Sequence, residues 1–239
     1  GSMSPIAEIQ RQRREDGERR MSELATELEA KGLRSKSVSV FGKPSHMITE
    51  VASAEGADLI VAGSGRKGSL ASFIMGSVTR ALVVDSKHSI LVGKQASGEG
   101  TLDAVLATDH SEYADGCVDL LVRLAPRLGK VTVVCADTTD ERVREALDEE
   151  APGDSTHADV LAQRNEAVCK KVTPICSKTE SVVVTGSANE VISSVMARTE
   201  AGLLILGAHG HGYLERLVMG STAMHMVGNE PWNVLVLRT

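Results

Sequence analysis

Short apolar runs alternate with longer stretches of helical periodicity along the second half of the chain. Ala104 to Thr108 reads as a buried strand, AVLAT. Glu112 to Leu128 reads as a helix, with Cys117, Leu120, Leu121 and Leu124 at helical spacing. Val131 to Ala136 is a second strand. The polar connection DEEAPGDSTHAD follows, with Pro152 and Gly153 as breakers. Helical spacing resumes from about Thr156 to Cys176, where Pro174 ends or kinks the helix. Val182 to Thr185 is a third strand, Asn189 to Arg198 a helix, and Leu203 to Leu206 a fourth strand. A glycine-bearing loop, a helix from Ser221 and a last strand, NVLVL, complete the series. Strands that are apolar throughout and alternate with helices specify an α/β fold, a parallel sheet covered on both faces. Such doubly wound sheets bind ligands at the carboxyl ends of strands, near the switch in strand order.

The first half shows only the later part of this series. A helix runs from about Pro5 to Lys31, a strand lies near Val38 to Phe41, and a helix follows Ser45. Then come the strand LIVAG, a glycine loop, a helix from Ser77 and the strand ILVG. The polar, glycine-rich stretch KQASGEGT links the halves.

The halves are copies. Gly207 and Gly63 are 144 residues apart, and so are Gly220 and Gly76, Ser221 and Ser77, and Met219 and Met75. The register holds without a gap for Gly186 and Gly42, Ile192 and Ile48, Leu203 and Leu59, and Leu235 and Leu91. Roughly a quarter of the aligned positions are identical from Val38 onward, and each copy is domain-sized. Residues 1–97 therefore read as a partial unit and 101–239 as a complete one. About 43 residues, one strand–helix–strand, have no counterpart in the first copy. The leading Gly1-Ser2-Met3 reads as an expression remnant. Three explanations stay open: the chain was cut, it naturally begins there, or another chain supplies the missing strands.

Composition narrows the class. The chain has 239 residues, 42% of them apolar, and a net charge of −6. That fits a soluble cytoplasmic protein with room for two modest cores. No apolar run approaches the roughly 18 residues of a membrane helix, so no membrane insertion is expected. Acidity and 2% aromatic content speak against nucleic acid as a partner. Arg11, Arg13, Arg14, Arg19 and Arg20 alternate with glutamates and read as a solvated helix face. The four cysteines, Cys117, Cys135, Cys169 and Cys176, lack zinc spacing and read as structural. Cys169 and Cys176, seven apart, are placed on one helix face.

The pattern Gly207-x2-Gly210-x9-Gly220-Ser221-Thr222 carries the candidate chemistry. Glycines between a strand and a helix let backbone amides approach an anion, and a helix N-terminus favours negative charge. Two such donor sets suit a polyphosphate. His209 and His211 lack accompanying carboxylates or cysteines, so a metal role is disfavoured. HGHG is similar to the HIGH signature of class I synthetases, but that signature follows a first strand and this one a fourth. No Walker lysine, GxSxG or dedicated general base is visible, so fast ATP hydrolysis is not indicated.

With these residues in place, the chain resembles a tandem universal stress protein. Nucleotide-binding members of that family carry G-x2-G-x9-G-[ST] after the fourth strand and an Asp after the first. The resemblance implies Rossmann-like units with strand order 3-2-1-4-5 in the second copy. It implies that Asp109 contacts adenine, that Ala107 and Thr108 flank the base, and that Cys135 packs against it. Leu206 and Gly207 would form the pocket floor. His209 would serve the turn or a phosphate, and Gly210 the phosphate cradle. Gly220, Ser221 and Thr222 would donate to ribose and phosphate, with Ser221 as helix cap. The implied ligand is ATP, with Mg2+ as an option. ADP, AMP and cyclic AMP stay open because the cradle is backbone.

The first copy departs from this pattern. Arg66 stands at the place of Gly210 and Gly65 at that of His209. The first copy is expected to bind no nucleotide by itself, Gly63, Gly76 and Ser77 serving turn and cap. Three functions stay open: a nucleotide-binding regulatory protein, an interaction or assembly module (including a regulatory piece of a larger transporter), and a slow ATPase. The last strands of the two copies, SILVGKQ and NVLVLRT, are expected to pair. A homodimer or strand exchange is expected to cover the first copy's missing strands.

Overall fold

The computed structural model describes residues 5–64, 75–95, 100–138, 156–210 and 219–239. Gly65, Arg66, Pro152, Gly153 and His211 lie outside the described residues. Two compact units are present, residues 1–47 and 48–239.

The first unit is built on α1 (Pro5–Ala30), with the start of α2 (Pro44–Ala54). Its arginines pair along the helix, Arg11 with Glu8 at 2.8 Å, Arg14 with Glu18 at 2.9 Å and Arg19 with Asp16 at 2.8 Å. These are the exposed pairs expected of a solvated face, worth about 0.3–0.5 kcal/mol each. Residues 38–41 are not a strand, contrary to the sequence pattern. A strand needs a partner ladder, and none of the described strands pairs with this segment. Phe41 is 73% exposed, with the Arg14 guanidinium 5.9 Å from its ring centre.

The second unit holds one seven-stranded sheet. Its elements are β1 (Leu59–Gly63), α3 (Ser77–Asp85), β2 (Ser89–Gly93), β3 (Leu102–Ala107), α4 (Glu112–Leu124) and β4 (Leu128–Asp137). They continue with α5 (His157–Val172), β5 (Cys176–Thr185), α6 (Ala188–Thr199), β6 (Leu203–Gly207), α7 (Ser221–Asn229) and β7 (Asn233–Leu237). The strand order is β1-β2-β7-β6-β3-β4-β5. The five strands of the second copy thus run 3-2-1-4-5, all parallel. The copies join where β2 meets β7 antiparallel, with Leu91 opposite Leu235.

Alternation along the strands divides the core. Leu204 and Leu206 pack with α6, α7 and α3 on one face; Leu203 and Ile205 pack with α4 and α5 on the other. This is the period-two consequence of the pleat. Helices on both faces leave the central strands β3, β4, β6 and β7 largely dry, which is why their runs are mostly apolar.

The local differences from the sequence pattern have identifiable causes. α4 stops at Leu124 because Ala125 turns left-handed (φ 46°, ψ 49°) ahead of Pro126, and a residue before proline avoids the helical region. Leu128 therefore opens β4. α5 stops at Val172 and a 3-10 turn, Thr173–Ile175, contains Pro174. Cys176 consequently starts β5 and does not share a helix face with Cys169; both are free thiols. β5 begins six residues before Val182 because it is a sheet edge, where polar residues such as Glu180 pair outward with Lys130.

Across the seam, two basic residues exchange helix ends. Lys94 donates from Nζ to the carbonyls of Met226 (3.1 Å) and Glu230 (2.6 Å) at the end of α7. Arg238 donates to the carbonyl of Val83 (2.6 Å), near the end of α3. Asn233 accepts from the Lys94 amide at 2.8 Å, and Ser89 accepts from the Arg238 amide at 3.0 Å.

Candidate functional site

A cavity of about 330 Å³ opens at the carboxyl ends of β3, β4 and β6. This is the topological switch: the chain leaves β3 toward β4 on one side and returns to β6 on the other. All eleven residues singled out from the sequence line it.

From β3 come Ala107, Thr108 and Asp109. The Thr108 amide donates to Val134 (3.0 Å), and its hydroxyl accepts from the His110 amide (3.0 Å). His110 adopts φ 58°, a turn that carries the chain into α4. Asp109 accepts through Oδ1 from the amide (3.1 Å) and hydroxyl (2.7 Å) of Ser111, which caps α4. Below the turn, buried His110 meets Asn165 Oδ1 at 3.0 Å. Asn165 is fully buried and donates to Val182 at 3.0 Å. Burial, and then the Arg164 charge, push the His110 pKa down.

From β6 come Leu206, Gly207, His209 and Gly210. Glycine at 207 reflects crowding: a Cβ would lie 3.2 Å from both the Tyr113 ring and the His209 carbonyl. His209 meets Tyr113 edge-on, ring centres 5.0 Å apart. Glycine at 210 reflects the same constraint, since a Cβ there would collide with the Asp109 carboxylate. The loops after β3 and β6 thus approach each other closely at Asp109 and Gly210.

Gly220 is the cap of α7, with φ −62° and ψ 151°, and its amide donates to Ala208 at 2.7 Å. Ser221 is therefore the first helical residue and not the cap. Gly76 has the same conformation (φ −62°, ψ 153°) ahead of Ser77 in the first copy. Ser221, Thr222 and Ala223 line the cavity in the first turn of α7, whose amides have no intrahelical acceptor. This end of the cavity is suited to an anion.

The other end is apolar. Cys135 lines it with Ala136, Leu161 and Ile192. Burial pushes the Cys135 thiol up to about 12, so it is a small apolar wall and not a thiolate. His157 also lines this end, and the sequence reading missed it. It follows Thr156, whose capping box with Asp159 fixes the start of α5. His157 is the first residue of α5, at the end of the polar stretch DEEAPGDSTHAD, where only this Thr-x-x-Asp box marks its place. Among the described residues, no group of three or more His, Cys, Asp or Glu side chains could hold a metal.

The profile of the universal stress protein family matches residues 2–94 and 103–238. Universal stress protein MJ0577 of Methanocaldococcus jannaschii is 33% identical over 88 residues, 37% of this chain and 54% of that protein. The match spans about half the length of that curated relative. A universal stress protein from Archaeoglobus fulgidus has a similar structure, with TM-score 0.69 and 20% identity over 99% of this chain and 83% of that one. A Pseudomonas aeruginosa protein of unknown function gives TM-score 0.66 and 16% identity, over 92% and 77%. Among the described residues, no helix is long and apolar enough to cross a membrane.

Proposed function

Since the chain belongs to the universal stress protein family, we propose that its second copy binds one adenine nucleotide, ATP foremost, as a regulatory ligand. One observation carries this reading. Residues from β3, β4, β6 and α7, far apart in sequence, line one cavity with backbone amides at one end and apolar walls at the other. Its volume lies in the range of small-molecule sites, roughly 300–1,000 Å³. The amides and the α7 N-terminus would take phosphates, and the apolar end would take the base.

The first copy would contribute structure, through β1, β2 and the seam, and no nucleotide site of its own. β1 is a sheet edge with Val61 67% exposed, an arrangement that invites pairing. We propose that two chains associate over this edge.

The test is nucleotide content and affinity. Released nucleotide is identified after denaturing the purified protein, and ATP is titrated into stripped protein, Asp109→Ala and Gly207→Ala. Binding of one ATP per chain, weakened in both variants while their melting stays cooperative, supports the reading. Absence of binding at millimolar ATP leaves the interaction-module function.

A further inference from the structure

We propose that His110, anchored by Asn165, is a positioning residue for the nucleotide: it fixes the turn that presents Asp109 to the cavity. The inference rests on the nucleotide reading above and adds to it a buried pair outside both the glycine motif and the cavity lining.

Asn165 settles the direction of the buried hydrogen bond. It is fully buried on α5, and its Nδ2 lies 3.0 Å from the Val182 carbonyl of β5 and 3.4 Å from the Val133 carbonyl of β4. Carbonyls only accept, so the side-chain amide turns its NH2 to them and its oxygen to His110. The 3.0 Å contact between His110 Nε2 and Asn165 Oδ1 is therefore an N–H donating to that oxygen. Burial, and then the Arg164 charge, oppose a second proton on the ring. One neutral tautomer is thus held by α5, β4 and β5 together.

The effect falls on the turn after β3. His110 sits at φ 58°, a conformation uncommon for a residue with a side chain. Such a conformation persists where its surroundings over-determine it. Here the His110 amide donates to Thr108 Oγ1 (3.0 Å) and the ring is pinned to Asn165. Asp109 stands between Thr108 and His110, lines the cavity, and accepts from the amide and hydroxyl of Ser111. Leu161, one turn before Asn165 on α5, lines the cavity as well. The His110–Asn165 bond therefore sets Asp109 against the wall that would hold the base.

The experiment measures ATP affinity by calorimetry in the stripped wild type, His110→Leu, His110→Gln and Asp109→Ala, and in Asp109→Ala carrying His110→Leu. His110→Leu removes the donor and is expected to weaken ATP about tenfold, the scale of one hydrogen bond. His110→Gln brings an amide N–H to the place of Nε2 and is expected to bind within about twofold of the wild type. In the Asp109→Ala background, His110→Leu is expected to weaken ATP no further, because it acts through Asp109. A general loosening of the fold would weaken ATP equally in both backgrounds, which overturns the inference. Wild-type affinity in His110→Leu, or no recovery in His110→Gln, also overturns it, and the nucleotide reading still stands if Asp109→Ala weakens ATP. Failure of the wild type to bind ATP overturns both. If His110→Leu loses its cooperative melt, His110→Asn supplies the same comparison, since it suits the left-handed turn and falls short of Asn165.

Discussion

Lys94 and Arg238 are pseudo-equivalent residues, 144 positions apart, and each donates to carbonyls near the end of the other copy's last helix. Each side chain supplies a donor to carbonyls near a helix end that lack an intrahelical partner. The exchange ties β2 and β7 together beyond their ladder.

Removing this tie is expected to cost stability in a pH-dependent way. Lys94 is 8% exposed, and burial lowers its pKa to about 8, against a smaller opposing effect of Glu230. Between about pH 8 and the ordinary lysine value near 10.5, the unfolded chain holds more protons than the fold, so Lys94 adds stability as pH rises. Lys94→Met leaves the Met226 and Glu230 carbonyls without this donor, a loss of roughly 1–3 kcal/mol. Its melting temperature is expected to fall below wild type, and the gap to widen from pH 7.5 to 10. A gap that narrows over that range would contradict the assignment.

Asp109 and Gly210 are expected to be energetically coupled. Gly210→Ala places a methyl group against the Asp109 carboxylate and is expected to destabilise by about 1 kcal/mol, the low end of overpacking, because the neighbour that must shift is the tip of a side chain. In the Asp109→Ala background the same change is expected to cost less, a coupling of about 1 kcal/mol in a double-mutant cycle. Additive effects in urea denaturation would show that the two loops do not meet there.

Ala125 ends α4 in the left-handed region, where an L side chain is strained. Ala125→Gly is expected to raise stability by roughly 0.5–1 kcal/mol. Loss of stability in chemical denaturation would place the strain elsewhere.

The open edge of β1 leads to an expected dimer. Sedimentation of the chain is expected to give twice the monomer mass, and Val61→Lys is expected to shift it toward monomer, since a charge on an exposed edge strand opposes pairing. A wild type that sediments only as monomer would refute the association.

The legible parts of the sequence were those where burial is complete. β3, β4, β6 and β7 are covered on both faces, so their apolar runs stand out, and the 144-residue repeat matched β6 to β1 and β7 to β2. β5 read short because an edge strand keeps polar residues outward. Residues 38–41 carry strand-like Val38 and Val40 yet form no strand, since propensity without a ladder is insufficient. The glycine motif exposed the anion end of the cavity because close backbone approach restricts residue type. His157 left no comparable trace, since one imidazole at the start of α5, after a polar stretch, has no pattern. Lys94 and Arg238 did leave one: both are basic at equivalent positions of the repeat, a signal that becomes readable once the helix ends they reach are known.

The central claim is tested most directly by titrating ATP into stripped wild-type protein and counting sites. One site per chain, weakened by Asp109→Ala while folding is retained, is the result expected from a single cradle in the second copy. Two equivalent sites would contradict the assignment of the first copy to structure. No binding at millimolar ATP would contradict the nucleotide site itself.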